Sequence, residues 1–384
     1  MIPKANNILL KFITSSEASE LSLNNCSLTD SDLLEVINML RENSCLDRLE
    51  ILGLENNDLS KLPYEIEGLK GLKYITVENN SLHEFPVEVT KCKNLERLFL
   101  NENPFENVHR DISELKKLKE LDLSITNIDS TGLPDSMTQL ENLTKLSLNN
   151  CKKFAFNGLP KVLWDLNKLE KLELKFCNLN DQNMIDMTLD LIEQGTMEAL
   201  TDLDLTGNKL GRLPALFLLS RKLKYLTLDK NNEGFYLFGI KDLKELTEIS
   251  LVSLGLEDED LDEIIDLPNL GVLDLSDNKI KSISEKFEKF LRKESVDEVL
   301  LQGNPLSQEL KEILDGIKSV RTEGYKPIFD VDDDDDISLS SDNTIREYLS
   351  EDSTSDLEDT NLVDIDVNES SVPSTSTDYL ISPS

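Results

Sequence analysis

Leu200-Thr-Asp-Leu-Asp-Leu-Thr-Gly-Asn208-Lys-Leu210 and Leu270-Gly-Val-Leu-Asp-Leu-Ser-Asp-Asn278-Lys-Ile280 repeat one pattern, L-x-x-L-x-L-x-x-N-x-L. The same pattern opens at Leu49 and at Leu72. Laid in register, the chain holds twelve copies, whose Asn-slot residues are Cys26, Asn57, Asn80, Asn103, Thr126, Cys151, Cys177, Asn208, Asn231, Leu254, Asn278 and Asn304. Successive slots lie 23 to 31 residues apart, most often 23. The x-L-x-L-x segment alternates with period two, so its leucines point to one side of a short strand and the residues between them to the other. One such strand cannot bury its apolar side; stacked copies build a parallel sheet and a continuous core. The Asn slot lies where the chain leaves the strand, and there a small polar side chain can satisfy buried backbone groups. Cys fits the same volume, so Cys26, Cys151 and Cys177 read as structural, and Cys45 and Cys92, in return segments, are expected to be buried.

With these repeats the chain resembles the leucine-rich-repeat proteins over about Ala18 to Leu306. The resemblance implies an α/β solenoid, a curved horseshoe with a parallel concave sheet. Return segments such as Leu62-Pro-Tyr-Glu-Ile and Leu133-Pro-Asp-Ser-Met resemble those of the Ras-group intracellular scaffolds. The longer units after Cys26 and Cys177 resemble the cysteine-containing and ribonuclease-inhibitor types, in which Thr29 or Asn180 would cap a convex helix. The array is therefore mixed. Residues 1–17 are expected to cap the first repeat and 18–306 to form the array. Residues 307–325, with Leu310, Ile313, Leu314 and Ile317 at helical spacing, are expected to close it.

Residues 326–384 form an acidic, Ser/Asp-rich tail. From Asp330 onward it holds 17 acids against the single base Arg346, and 17 Ser or Thr. So much charge with so few apolar residues predicts disorder. A plain solubilising role and a regulatory one are both open. Ser353 and Ser355, each with an acid three residues on, are possible phosphosites.

The outward strand positions are the candidate site. They include Tyr74, Arg97, Phe99, Asn101, Asp122, Lys145, Lys171, Glu173, Lys175, Asp202, Asp204 and Tyr225. Tyr74 beside Arg97 and Phe99 gives an aromatic, cationic patch of the kind enriched in binding hot spots. Lys145, Lys171 and Lys175 form a basic island, although cross-strand ion pairs on a merely solvated face would look the same. Trp164 falls on the convex side and reads as packing.

A net charge of −35 disfavours nucleic acid, because no basic stripe is present to meet phosphates. With two histidines and no CxxC pair there is no metal cluster, and neither a phosphate loop nor a nucleophile–histidine pair suggests catalysis or a cofactor. No stretch reaches a membrane span's length and no secretory signal is visible, so the expected place is the cytoplasm, with the nucleus an alternative. The leading reading is a monomeric, non-catalytic scaffold in signalling that binds a protein partner on its concave face. By resemblance, the alternatives are a regulator or activator of a GTPase and an acidic nuclear protein binding basic partners such as histones; a further alternative is an effector secreted by an intracellular microbe.

Overall fold

A computed structural model describes residues 3–185 and 197–323. Thirteen strands form one sheet in strict chain order, every neighbouring pair parallel. They are β1 (Glu20–Ser22), β2 (Ile51–Gly53), β3 (Tyr74–Thr76), β4 (Arg97–Phe99), β5 (Glu120–Asp122), β6 (Lys145–Ser147), β7 (Lys171–Glu173), β8 (Asp202–Asp204), β9 (Tyr225–Thr227), β10 (Glu248–Ser250), β11 (Val272–Asp274), β12 (Glu298–Leu300) and β13 (Val320–Arg321). The central residue of each strand from β1 to β12 is aliphatic and buried, and its register partner is the central residue of the next, as in Leu172↔Leu203↔Leu226. Strands pack about 4.8 Å apart, closer than the return segments behind them can, so the array bends with its strands inside. The leucine-rich-repeat fold predicted from the repeat is present.

The slot asparagines stitch this array. Asn208 Nδ2 donates to Leu174 O of the preceding repeat and to Leu205 O of its own, both at 2.8 Å. Its Oδ1 accepts from the N–H groups of Cys177 and Leu179, back in the preceding repeat. Asn57 and Asn278 repeat the scheme, and Asn231 donates in the same way while accepting from the Leu210 N–H. Thr126 and Cys177 keep a donating half: Thr126 Oγ1 to Leu123 O at 2.7 Å, and Cys177 Sγ to Leu148 O at 3.1 Å. Leu254 can do neither, and Asn278 of the next repeat serves it, accepting from the N–H groups of Leu254 and Leu256 and donating to Leu251 O.

All five cysteines are free and buried. Burial pushes the Cys92 thiol up to about 11, outweighing the nearby Lys70 and Lys93, which alone would favour a thiolate. Burial likewise raises Cys151 to about 11.

A backbone feature has no counterpart in the repeat pattern. The residue before every slot has positive φ, from Asn25 (53°) through Ile125 (55°) and Phe176 (54°) to Gly303 (72°). A single left-handed residue turns the chain off the strand so that the slot side chain points inward. Side chains rarely adopt this conformation, β-branched ones least of all, so Ile125 and Phe176 hold it against local preference. At Gly207 (φ 68°) a Cβ would fall 2.1 Å from Phe176 Cδ1, so this turn also requires the missing side chain.

The Pro-led returns form short 3₁₀ turns, such as Tyr64–Gly68 after Pro63 and Lys161–Asp165 after Pro160. Trp164 is buried on this side, 5.4 Å from the Phe217 ring. The longer return after Cys26 is a helix, Asp30–Glu42, capped by Thr29 and Asp32 in a reciprocal capping box. After Cys177 a helix begins at Asp181, and its continuation beyond Ile185 lies outside the described residues. At the N-terminus a helix, Pro3–Thr14, buries Ala5, Leu9 and Phe12. The Arg48 guanidinium holds it by stacking 4.6 Å over the Phe12 ring and donating to Phe12 O. The expected closing helix is Gln308–Leu314, with Leu310 and Leu314 buried. It is not the end of the array: β13 follows and pairs with β12. The acidic tail, with Ser353 and Ser355, lies outside the described residues.

Candidate functional site

The outward residues fall into three rows across the strands. Strand register sets Tyr74, Arg97, Glu120, Lys145, Lys171, Asp202, Tyr225 and Glu248 side by side in the first row. Phe99, Asp122, Ser147, Glu173 and Asp204 belong to the second. Asn101 and Lys175, two residues further along, belong to the third. All twelve candidate residues therefore stand on one face.

Their surroundings differ. Tyr74 is fully buried and meets Phe99 edge-on at 5.3 Å, so its ring is a wall of the face rather than a protruding anchor. Tyr225, 37% exposed, is the aromatic side chain that stands out, between Asp202 and Glu248.

The lysines are compensated. Lys145 Nζ lies 2.6 Å from Glu120 Oε1, whose other oxygen is 3.5 Å from Arg97 Nε. Lys171 Nζ lies 3.0 Å from Glu173 Oε1, and Lys175 Nζ lies 3.2 Å from Asp204 Oδ2. What the sequence presents as a basic island is a belt of alternating charge over β4–β8. Burial alone would raise the Glu173 carboxyl, but Lys171, Lys175 and Lys145 together hold it down to about 2. Asp122 in the same belt is pushed up to about 6 by burial, against hydrogen bonds from Ser124.

On either side of the belt carboxylates prevail. Burial and the nearby Glu55 and Glu102 push Glu78 up to about 8. On β9 to β11, burial, with Asp274 and Asp204 adding to it, pushes Asp229 up to about 7, although it accepts from Ser250 Oγ at 2.7 Å and Val252 N at 2.8 Å. Asp274 is raised by burial and by Asp277 and Glu298. Glu248 is raised by burial and by Asp202. Beyond Lys175 no Lys or Arg occupies any of the three rows through β12. Glu55, Glu78 and Asp229 were missed as candidates, yet their signal is simple: each sits two residues before a slot asparagine.

Among the described residues no group of His, Cys, Asp and Glu is arranged to hold a metal ion, and no helix is long and apolar enough to cross a membrane.

No family model matches the sequence, and no curated protein matches it. Solved structures are similar in fold. A leucine-rich-repeat protein of Leptospira interrogans superposes with a TM-score of 0.51 at 23% identity, over 82% of this chain and 98% of that one. TLR13, solved in complex with ssRNA13, gives a TM-score of 0.57 at 21% identity, over 76% of this chain and 43% of that one. Mouse RP105, solved in complex with MD-1, gives 0.53 at 17% identity, over 81% and 51%. At these identities the likeness is one of fold.

Proposed function

We propose that this chain, a leucine-rich-repeat protein by its repeat and its fold, is a non-catalytic scaffold that binds a protein partner along its concave face. The observation that carries the reading is the face itself: twelve consecutive strands in one register present three rows of polar, charged and aromatic side chains. Such a surface suits an extended stretch of another protein better than a compact small molecule. Tyr225, Phe99 and Arg97 are of the types that anchor interfaces. Five free cysteines fit a reducing compartment, so the cytoplasm is the proposed place of action, with the chain acting as a monomer in signalling.

The test is capture on the immobilised full chain, compared with K171W/E248W, which places bulk on two half-buried positions of the first row. F156S, on an exposed convex-side phenylalanine, is the control. The expected result is a protein retained by wild type and F156S and lost with K171W/E248W, as quantified by mass spectrometry. Equal retention by all three would sink the reading.

A further inference from the structure

On β8–β11 the face combines a run of carboxylates with one exposed ring. Tyr225 is flanked in register by Asp202 and Glu248. In the next row stand Asp204 and Asp274, and beyond them Asp229. Among the described residues, only Asp204 of these five acids is paired with a base, Lys175; the others accept from neutral groups where they accept at all. Asp202 takes a hydrogen bond from Thr201 Oγ1, Asp229 from Ser250 and Val252, and Asp274 from the Ser276 N–H. The raised carboxyls described above report the same imbalance: charge of one sign has been brought together with too little water and too little positive charge to compensate it. A cation delivered there gains the field of several carboxylates and the face of a tyrosine ring.

The belt beside it differs. Its bases and acids are matched, so a charged partner of either sign would have to displace existing pairs. A partner's basic residues therefore find their complement on β8–β11 and not on β5–β7. Strand repeat and side-chain spacing agree with this. Neighbouring strands lie about 4.8 Å apart, so a chain running across them meets an acid of the first or second row at nearly every step.

We infer that the partner bound on the concave face presents a Lys- or Arg-rich extended segment, which lies across β8–β11 over Asp202, Asp204, Asp229, Glu248 and Asp274 with a basic side chain against the Tyr225 ring. This rests on the proposed binding role and specifies its chemistry.

Two neutralised forms of the full chain test it. D202N/E248Q/D274N removes charge from the face with little change of shape, and D333N/D334N/D335N removes the same charge from the tail. The probe is a fluorescent peptide of alternating Lys and Ser, read by anisotropy at near-physiological salt, where screening acts over about 8 Å. The expected result is binding weakened about ten-fold or more in the face variant and less than about two-fold in the tail variant, since the tail contributes only diffuse attraction. Y225S/E248Q, at the exposed ring and a half-buried acid beside it, is expected to weaken binding in the same direction without touching Asp229 or Asp274. Equal losses from face and tail, or no loss from either face variant, overturn the proposal. A captured partner that is lost with K171W/E248W but kept by D202N/E248Q/D274N overturns it too, while leaving the scaffold reading in place.

Discussion

Glu173 and Asp229 stand on the same face, on β7 and just beyond β9, and both are desolvated, yet they titrate at opposite ends of the carboxylate range. Glu173 has three lysines around it and is held down to about 2. Asp229 has only hydroxyl and amide donors, with Asp274 and Asp204 nearby, and is pushed up to about 7. Burial makes each carboxylate sensitive to its neighbours, and the neighbours set the sign. The face thus has a self-satisfied middle and a flank with unmet demand. The middle stabilises the array, whereas the flank costs stability that a partner can return.

The sharpest way to break this contrast is E173Q. It leaves Lys145, Lys171 and Lys175 together without their shared carboxylate, and we expect a loss of roughly 2–3 kcal/mol at pH 7, less than for a fully buried pair because the lysines reach water. Urea unfolding reads it, and no loss would mean that the belt is ornamental.

D229N has the opposite sign. An Asn keeps an oxygen for Ser250 and Val252 and removes the charge, so we expect a gain of about 1–2 kcal/mol at pH 8. The gain shrinks as pH falls below 7 and vanishes only below the ordinary Asp value of about 3.9, where wild-type Asp229 is protonated both folded and unfolded.

Wild-type pH dependence follows from both groups. Asp229 binds its proton more tightly in the folded state, so its penalty is complete above pH 7 and falls away toward about pH 4. Glu78, pushed to about 8, and Asp122, pushed to about 6, act in the same direction. Glu173 contributes stability that is complete above its ordinary value of about 4.3 and is lost as pH falls toward 2. A melting temperature that peaks near pH 5, and a flatter alkaline limb in D229N, are the expected result. A steady rise from pH 5 to 8 would contradict it.

The smallest effect is that of salt. Screening relieves like-charge repulsion on the flank and weakens the belt, so D202N/E248Q/D274N should shift the salt dependence of stability by less than about 1 kcal/mol, measured between low and high salt.

The sequence makes the slot positions, the inward leucines and the membership of the face legible, because period-two alternation and a fixed register leave little freedom. The charge balance is only half legible. Register sets Lys145 opposite Glu120, but Lys171 turns along its own strand to Glu173 rather than across to Asp202, a choice of side-chain torsion that spacing does not fix. The left-handed residue before each slot is not legible, since Asn, Glu, Ile, Phe, Lys, Ser, Asp and Gly all occupy it. There the geometry of the turn overrides local preference. Nor is β13 legible: Val320–Arg321 carries no slot after it and joins the sheet only because β12 offers an open edge.

The slot asparagine's reach into the preceding repeat has a consequence for substitutions. Leu254 is tolerated because Asn278 serves its amide and the carbonyl of Leu251. Replacing Asn278 by leucine would therefore strand polar groups in two repeats at once, whereas the same change beside an intact slot would strand fewer. The effect of a substitution is therefore written in the neighbouring repeat: after Leu254, which keeps no polar group, the next slot carries asparagine, whereas Thr126, Cys151 and Cys177 follow one another because each still donates to a backbone carbonyl.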